Sequence, residues 1–397
     1  MIPLHLAHHT VSCCAGDGLA PLRTALRNGT SGLRPHRIEG LGTDTWIGEV
    51  PGLDDTALPD PMRGFDCRNN RLARRGLAAD GFEDAVRSRI AHHGVRRVGV
   101  VLGTSTSGIL STELAYRQRA PEGGPLPAGL NYPGSHSTYS LADFVRTWLG
   151  IEGPAYVVST ACSSSAKAYA AAARLIHAGL IDAALVGGVD SLCFTTLHGF
   201  ASLELTSPEP CRPYDAARSG ISIGEAAAFG LLERATGSLD ADAALLLGCG
   251  ESSDAYHMSS PHPEGLGAQL AMEGALAQAG LSPADIDYIN LHGTATLNND
   301  SAEGYAVASL FGTRVAASST KGITGHTLGA AGALEISISA MALADGLLPG
   351  SVHTLNLDPT VPIDYVLASR SAPLRRVMSN SFGFGGSNCS VIIGRAG

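Results

Sequence analysis

The sequence predicts an α/β fold with sheets buried on both faces, and three observations carry that prediction. Short β-rich runs alternate with alanine-rich stretches of helical period, the runs are rich in apolar residues, and they fall into two comparable series. The first series is RRVGVVLG at 96–103, AYVVST at 155–160, DAALVGGV at 182–189 and AAAFGLLE at 226–233. The second is ALLLGCGES from 244, DYINLHGT from 287, RVAASST from 314 and CSVIIG from 389. Two halves are therefore expected, 1–238 and 239–397, with the joint around 234–241. No repeat exists at the residue level, so the expected duplication is one of topology. Residues 119–136, RAPEGGPLPAGLNYPGSH, are dense in Pro and Gly and read as a long surface loop.

Composition bounds the function. With 44% hydrophobic and 16% charged residues in 397, the chain has ample material for a large core. No apolar run approaches the ~18 residues of a membrane span, and MIPLHLAHHT has neither a basic region nor a continuous apolar stretch. A cytoplasmic protein without a span is expected. Eight cysteines are scattered with no C-x-x-C pair, which argues for reduced thiols and against a disulfide framework or a metal site. A net charge of −9 disfavours nucleic acid as a partner.

One of those cysteines stands at a junction. In VSTACSSSAKAYAAAARLI a strand ends near Thr160 and good helix formers follow, with SSS available to cap the first turn. Cys162 thus lies at a helix N-terminus, where the dipole and free N–H groups favour a thiolate. Far along the chain, His292 emerges from a β-rich run into a loop of Gly, Thr and Asn, and His326 follows Lys321 by five residues. Such small-residue loops let a bulky ligand approach the backbone. NSFGFGGSN at 380–388 places Phe384 between glycines.

TACSSS, HGTATLNND, STKGITGHTLGAAGALE and NSFGFGGSN occur in the order found in β-ketoacyl-[acyl carrier protein] synthases of the KAS I/II type, which the chain resembles over nearly its whole length. CRPYDAARSGISIGEAA at 211–227 and SSDAYHMSSPHPEG at 252–265 extend the likeness. The resemblance implies the thiolase fold: two βαβαβαββ halves in a five-layered α/β/α/β/α arrangement, usually dimeric. It implies that Cys162 accepts an acyl group, that His292 and His326 bind the extender's thioester carbonyl, and that Lys321 supports them, with Glu303 joining the lysine's network. Thr294 and Thr296 match contacts to the phosphopantetheine arm, and Phe384 matches a gating phenylalanine whose N–H completes an oxyanion hole with that of Cys162. The implied reaction is a decarboxylative Claisen condensation with malonyl-acyl carrier protein, in fatty acid, polyene or polyketide-type elongation, and it needs no metal or redox cofactor.

Two features bear on the partners and the substrate. Arg68, Arg71, Arg74 and Arg75 sit in DCRNNRLARRG, where 68, 71 and 75 share a helical face. Acyl carrier proteins are acidic, so this face is expected to dock one. The hydroxyls of LGTSTSGILS lie, by the resemblance, near the distal end of the acyl tunnel, and they argue against ordinary long saturated chains. The short chain and the arginine run are also similar to aryl polyene and related secondary-pathway synthases. The partner in a dimer is a second copy or a chain-length-factor-like homologue. Two alternatives remain at this stage, a thiolase-fold non-elongating acyltransferase and a scaffold partner of another synthase; a coenzyme A-dependent thiolase, for whose second cysteine Cys389 could be mistaken, is not expected to carry both HGTAT and KGITGH.

Overall fold

The computed structural model describes residues 1–55 and 57–397. Five strands build the first half: β1 (Leu4–Cys13), β2 (Val98–Gly103), β3 (Ala155–Val158), β4 (Ala183–Asp190) and β5 (Ala226–Arg234). They are ordered β1-β5-β4-β2-β3, with β2 parallel to β3 and β4, and β5 antiparallel to β4 and β1. The second half repeats this pattern with β6 (Ala244–Ser253), β7 (Tyr288–Asn290), β8 (Ala316–Ser318), β9 (Arg376–Gly383) and β10 (Ser387–Arg395). Their order is β6-β10-β9-β7-β8, and the parallel and antiparallel pairs fall at corresponding places. The duplication is therefore one of topology, as expected. A short pairing of Leu4 with Leu246 and His5 with Leu245 links the two sheets edge to edge.

Helices complete the five layers. On the outer face of the first sheet lie α1 (Arg68–Ala78) and α2 (Tyr139–Leu149), and α3 (Ser164–His177) packs on β2 and β4 from inside. The second sheet carries α4 (Leu266–Ala279) outside, with α5 (Leu297–Phe311) against it, and α6 (Ala331–Asp345) inside. Helices α3 and α6 pack against each other as the central layer, and one continuous core runs through them into both sheets. Their alanines and glycines allow close approach. A Cβ on Gly103 would stand 2.4 Å from the backbone nitrogen of Ser165, so only glycine lets β2 meet the start of α3.

That central layer corrects one expectation. The stretch Leu328–Asp345 is 18 residues long with a mean hydropathy of 1.3, enough by length and composition to span a membrane. Its apolar character has another cause: the stretch is 89% buried between the two sheets.

Candidate active site

The inner ends of the two halves converge on one cavity of about 360 Å³, lined among others by Cys162, His292, Thr294, Thr296, His326 and Phe384. Lys321 and Glu303 lie behind it, buried, while the four arginines of α1 lie elsewhere.

Cys162 occupies the turn between β3 and α3. Ala161 just before it has φ 52°, a left-handed backbone that costs a residue with a Cβ energy and so fixes the turn. The following serines do not cap the helix as expected. Ser163 Oγ donates to the Thr160 carbonyl (2.9 Å) and Ser164 Oγ accepts from the Thr160 N–H (2.9 Å), so both brace the turn, and no side chain caps α3. The helix terminus lies beside the thiol as read, yet the net shift of the thiol is the reverse of that expected. Burial pushes the Cys162 thiol up to about 11 and outweighs the opposing pull of the Lys321 ammonium and of the Phe384 and Cys162 backbone N–H groups.

His326 Nε2 lies 3.0 Å from the Cys162 sulfur. Its backbone is clamped by the segment before β5, donating to Ser222 O (2.7 Å) and accepting from Gly224 N–H (3.0 Å). His292 packs edge-on against His326, with centroids 5.2 Å apart and planes at 84°. Burial, and after it the Lys321 charge, holds both imidazoles well below the usual histidine range, so they are neutral. Neither Nδ1 has a protein partner. A proton there would be a buried, unpaired donor, which favours the tautomer with the proton on Nε2.

Glu303 and Lys321 are both buried in this wall, but not as a pair. Glu303, on α5, accepts the backbone N–H groups of His292 and Gly293 (2.8 Å each) and the Asn380 amide (3.1 Å). It orients the histidine loop and makes no hydrogen bond to Lys321. The ammonium of Lys321 instead pairs with Glu335 on α6. Glu335, the last residue of STKGITGHTLGAAGALE, was overlooked as a site residue because nothing in sequence distance links it to the lysine's tip. Burial raises Glu303 and Glu335 to about 7 each.

Asp300 and Asp190 are two further buried carboxylates that sequence reasoning missed. Asp300 receives the N–H groups of Thr294 (2.9 Å) and Ala295 (3.2 Å), which leaves the hydroxyls of Thr294 and Thr296 hydrogen bonded to each other (3.0 Å) at the cavity wall. Asp190 accepts the hydroxyls of Thr104 (2.7 Å) and Thr106 (2.9 Å) and the N–H of Gly329 (2.6 Å). Ser107 Oγ donates to Ser135 O (2.9 Å). These hydroxyls are bonded inside the protein and do not line this cavity. Phe384 rests against Phe200, with centroids 5.4 Å apart.

The arginines of α1 do not form an open basic face. Arg68 is 7% exposed and makes a bidentate pair with Glu225 (2.9 and 2.6 Å). Arg71 is bound to Asp66 (2.7 Å), Arg75 to Asp17 (2.7 Å), and Arg74 lies 4.4 Å over the Trp148 ring. Of the face shared by 68, 71 and 75 only Arg68 is buried; Arg71 and Arg75 stay partly exposed beside their acidic partners, and Leu72, Ala73 and Leu77 form the core side of the helix. Cys389 lies within β10 with no exposed surface, too enclosed to serve as a second catalytic thiol, and all eight cysteines are free.

Comparison with known proteins shows the family of the chain. Residues 75–237 match the beta-ketoacyl synthase N-terminal domain and 243–355 its C-terminal domain. The chain is 36% identical to 3-oxoacyl-[acyl-carrier-protein] synthase 2 of Coxiella burnetii, over 96% of this chain and 95% of the relative. It is 35% identical to nodulation protein E of Rhizobium meliloti, over 95% of each. Among solved structures, a ketosynthase in complex with its chain length factor from Xenorhabdus doucetiae superposes with a TM-score of 0.89 at 38% identity, covering 99% of this chain and 98% of that one.

Proposed function

The chain belongs to the β-ketoacyl synthase family, and we propose that it joins an acyl group held on Cys162 to the enolate of a malonyl unit delivered by acyl carrier protein. The observation that carries this reading is the convergence of one thiol, two neutral imidazoles and two backbone N–H groups on one cavity.

Each group has a task that its environment suits. In the first half-reaction the Cys162 sulfur attacks an acyl thioester, and the departing carrier thiolate takes up the proton that Cys162 gives up, so no external base is consumed. The N–H groups of Cys162 and Phe384, which favour negative charge at the sulfur, receive the oxyanion. In the second, a malonyl thioester loses carbon dioxide and its electron pair moves to the thioester oxygen. Nε2–H donors of His292 and His326 hold that enolate, which neutral imidazoles do without surrendering a proton. The enolate carbon then attacks the acyl carbonyl and expels the Cys162 thiolate. Lys321, tied to Glu335, adds positive charge behind the enolate. Glu303 is a positioning residue for His292, and Thr294 and Thr296 offer hydroxyls to the phosphopantetheine arm. Phe384, against Phe200, gates the cavity. No step calls for a metal or redox cofactor.

The partners follow as part of the same proposal: acyl carrier protein as donor and a second chain of the same fold. β3 is the outer edge of the first sheet, and its residues Ala155, Tyr156, Val157 and Val158 are half-exposed, an apolar edge suited to pairing. The relatives solved with chain length factors support a chain-length-factor-like homologue as that second chain, and with it polyene or polyketide-type elongation.

The half-reactions can be separated by substitution. Cys162→Gln is expected to lose the acyl adduct and the β-ketoacyl product but still to release carbon dioxide from malonyl carrier protein. His292→Ala and His326→Ala are expected to keep the adduct while decarboxylation falls roughly 10²–10³-fold for each lost donor. Adduct mass and labelled carbon dioxide release are measured on all three. Loss of decarboxylation in the glutamine variant, with both histidine variants active, would reject the assignment.

A further inference from the structure

A cavity built to offer a thiol and two imidazoles to one reacting centre also presents a ligand set for a soft cation. Sulfur and ring nitrogen atoms of Cys162, His292 and His326 lie within 4.8 Å of one another, all three residues are buried, and no other such trio occurs among the described residues. Around tetrahedral zinc, sulfur and nitrogen donors stand about 3.5 Å apart, which follows from metal bonds of about 2.3 and 2.0–2.1 Å. The Cys162 sulfur and His326 Nε2 are at 3.0 Å and the His292 donor lies within 4.8 Å of both, so the three are within side-chain adjustment of such a centre. Three protein ligands leave a fourth position, and the cavity supplies it. The ligands come from residues 162, 292 and 326, so spacing along the chain gives no sign of them.

We propose that Cys162, His292 and His326 form a reversible binding site for a soft divalent cation such as Zn²⁺, and that its occupancy blocks the nucleophile. Coordination exchanges the S–H bond for an S–Zn bond and releases the thiol proton to solvent, with no change of oxidation state. Reversibility is written into the surroundings. Histidines of resident metal sites donate their second ring N–H to a fixed partner, whereas Nδ1 of both rings here has none. The Lys321 ammonium opposes a cation, and its pairing with Glu335 offsets that only in part. Both features weaken binding relative to a structural zinc site while leaving the ligand set intact.

The blocking part rests on the synthase reading, whereas the binding part does not. The test titrates the purified chain with Zn²⁺ against a chromogenic chelator and follows alkylation by iodoacetamide with peptide mapping. One Zn²⁺ per chain is expected, with Cys162 alkylation slowed at least tenfold and restored by EDTA while Cys14 is unaffected. Cys162→Ala, His292→Ala and His326→Ala are each expected to weaken binding at least tenfold, since each removes a ligand. Unchanged alkylation of wild-type Cys162 at saturating Zn²⁺ overturns the site, and it does so without relying on any variant that fails to fold. Stoichiometric binding that survives in a Cys162→Ala, His326→Ala double variant overturns it as well. Acyl transfer to Cys162 that proceeds undiminished under saturating Zn²⁺ overturns the blocking, and a metal-free acylation control keeps that result apart from a failure of the synthase reading.

Discussion

At Cys162 two influences oppose each other. The helix terminus, the Lys321 ammonium and two N–H groups stabilise a thiolate, while burial disfavours any charge, and burial prevails. With the thiol pushed up to about 11, the reactive fraction at neutral pH is small and grows tenfold with each pH unit until about that value. Iodoacetamide alkylation of Cys162 is therefore expected to accelerate steadily from pH 7 to 10. Lys321→Met, which removes a charge that favours the thiolate, is expected to slow it at every pH in that range. A plateau near pH 8, read by mass spectrometry of the Cys162 peptide, contradicts this balance. In catalysis the same burial keeps a free thiol quiet until a thioester fills the cavity and supplies the acceptor for its proton.

Among the elements, α1 separates charge that stabilises from charge that decorates. Arg68 is buried against Glu225, whose carboxylate also receives the N–H groups of Val50 (2.8 Å) and Leu192 (2.9 Å). Removing the guanidinium leaves that carboxylate buried without a counter-charge. Arg68→Ala is expected to cost about 3–5 kcal/mol in a urea titration, because a broken buried pair leaves an uncompensated ion. Arg75→Ala, at the exposed pair with Asp17, is expected to change stability by less than about 1 kcal/mol. Equal losses for the two variants would show that exposure does not govern the energetics of this helix.

For the whole molecule, the repeated strand order places β3 and β8 at equivalent positions, yet only β8 is followed outward by another strand, at Asp364–Tyr365. β3 is left as the free edge of its sheet, next to the turn that carries Cys162. If a second chain pairs there, Tyr156→Asp places a charge in that junction and is expected to shift sedimentation from dimer toward monomer, with the melting transition retained. An unchanged dimer would move the interface elsewhere. Because the nucleophile follows the same strand, loss of pairing is also expected to lower acyl transfer.

The sequence by itself determined the α/β class, the two halves and the positions of Cys162, His292, Lys321 and His326, because each rests on local information: apolar runs, helix formers and short motifs read along the chain. Even the arrangement of Cys162 at a helix start was legible. What only the tertiary structure decided is how groups distant in sequence meet. Lys321 chose Glu335 over Glu303, Asp190 consumed the hydroxyls of Thr104 and Thr106, and Arg68 turned inward to Glu225. The sign of the Cys162 shift belongs to the same class. Desolvation and pairing depend on what surrounds an atom in three dimensions, and five packed layers bring together residues more than a hundred positions apart.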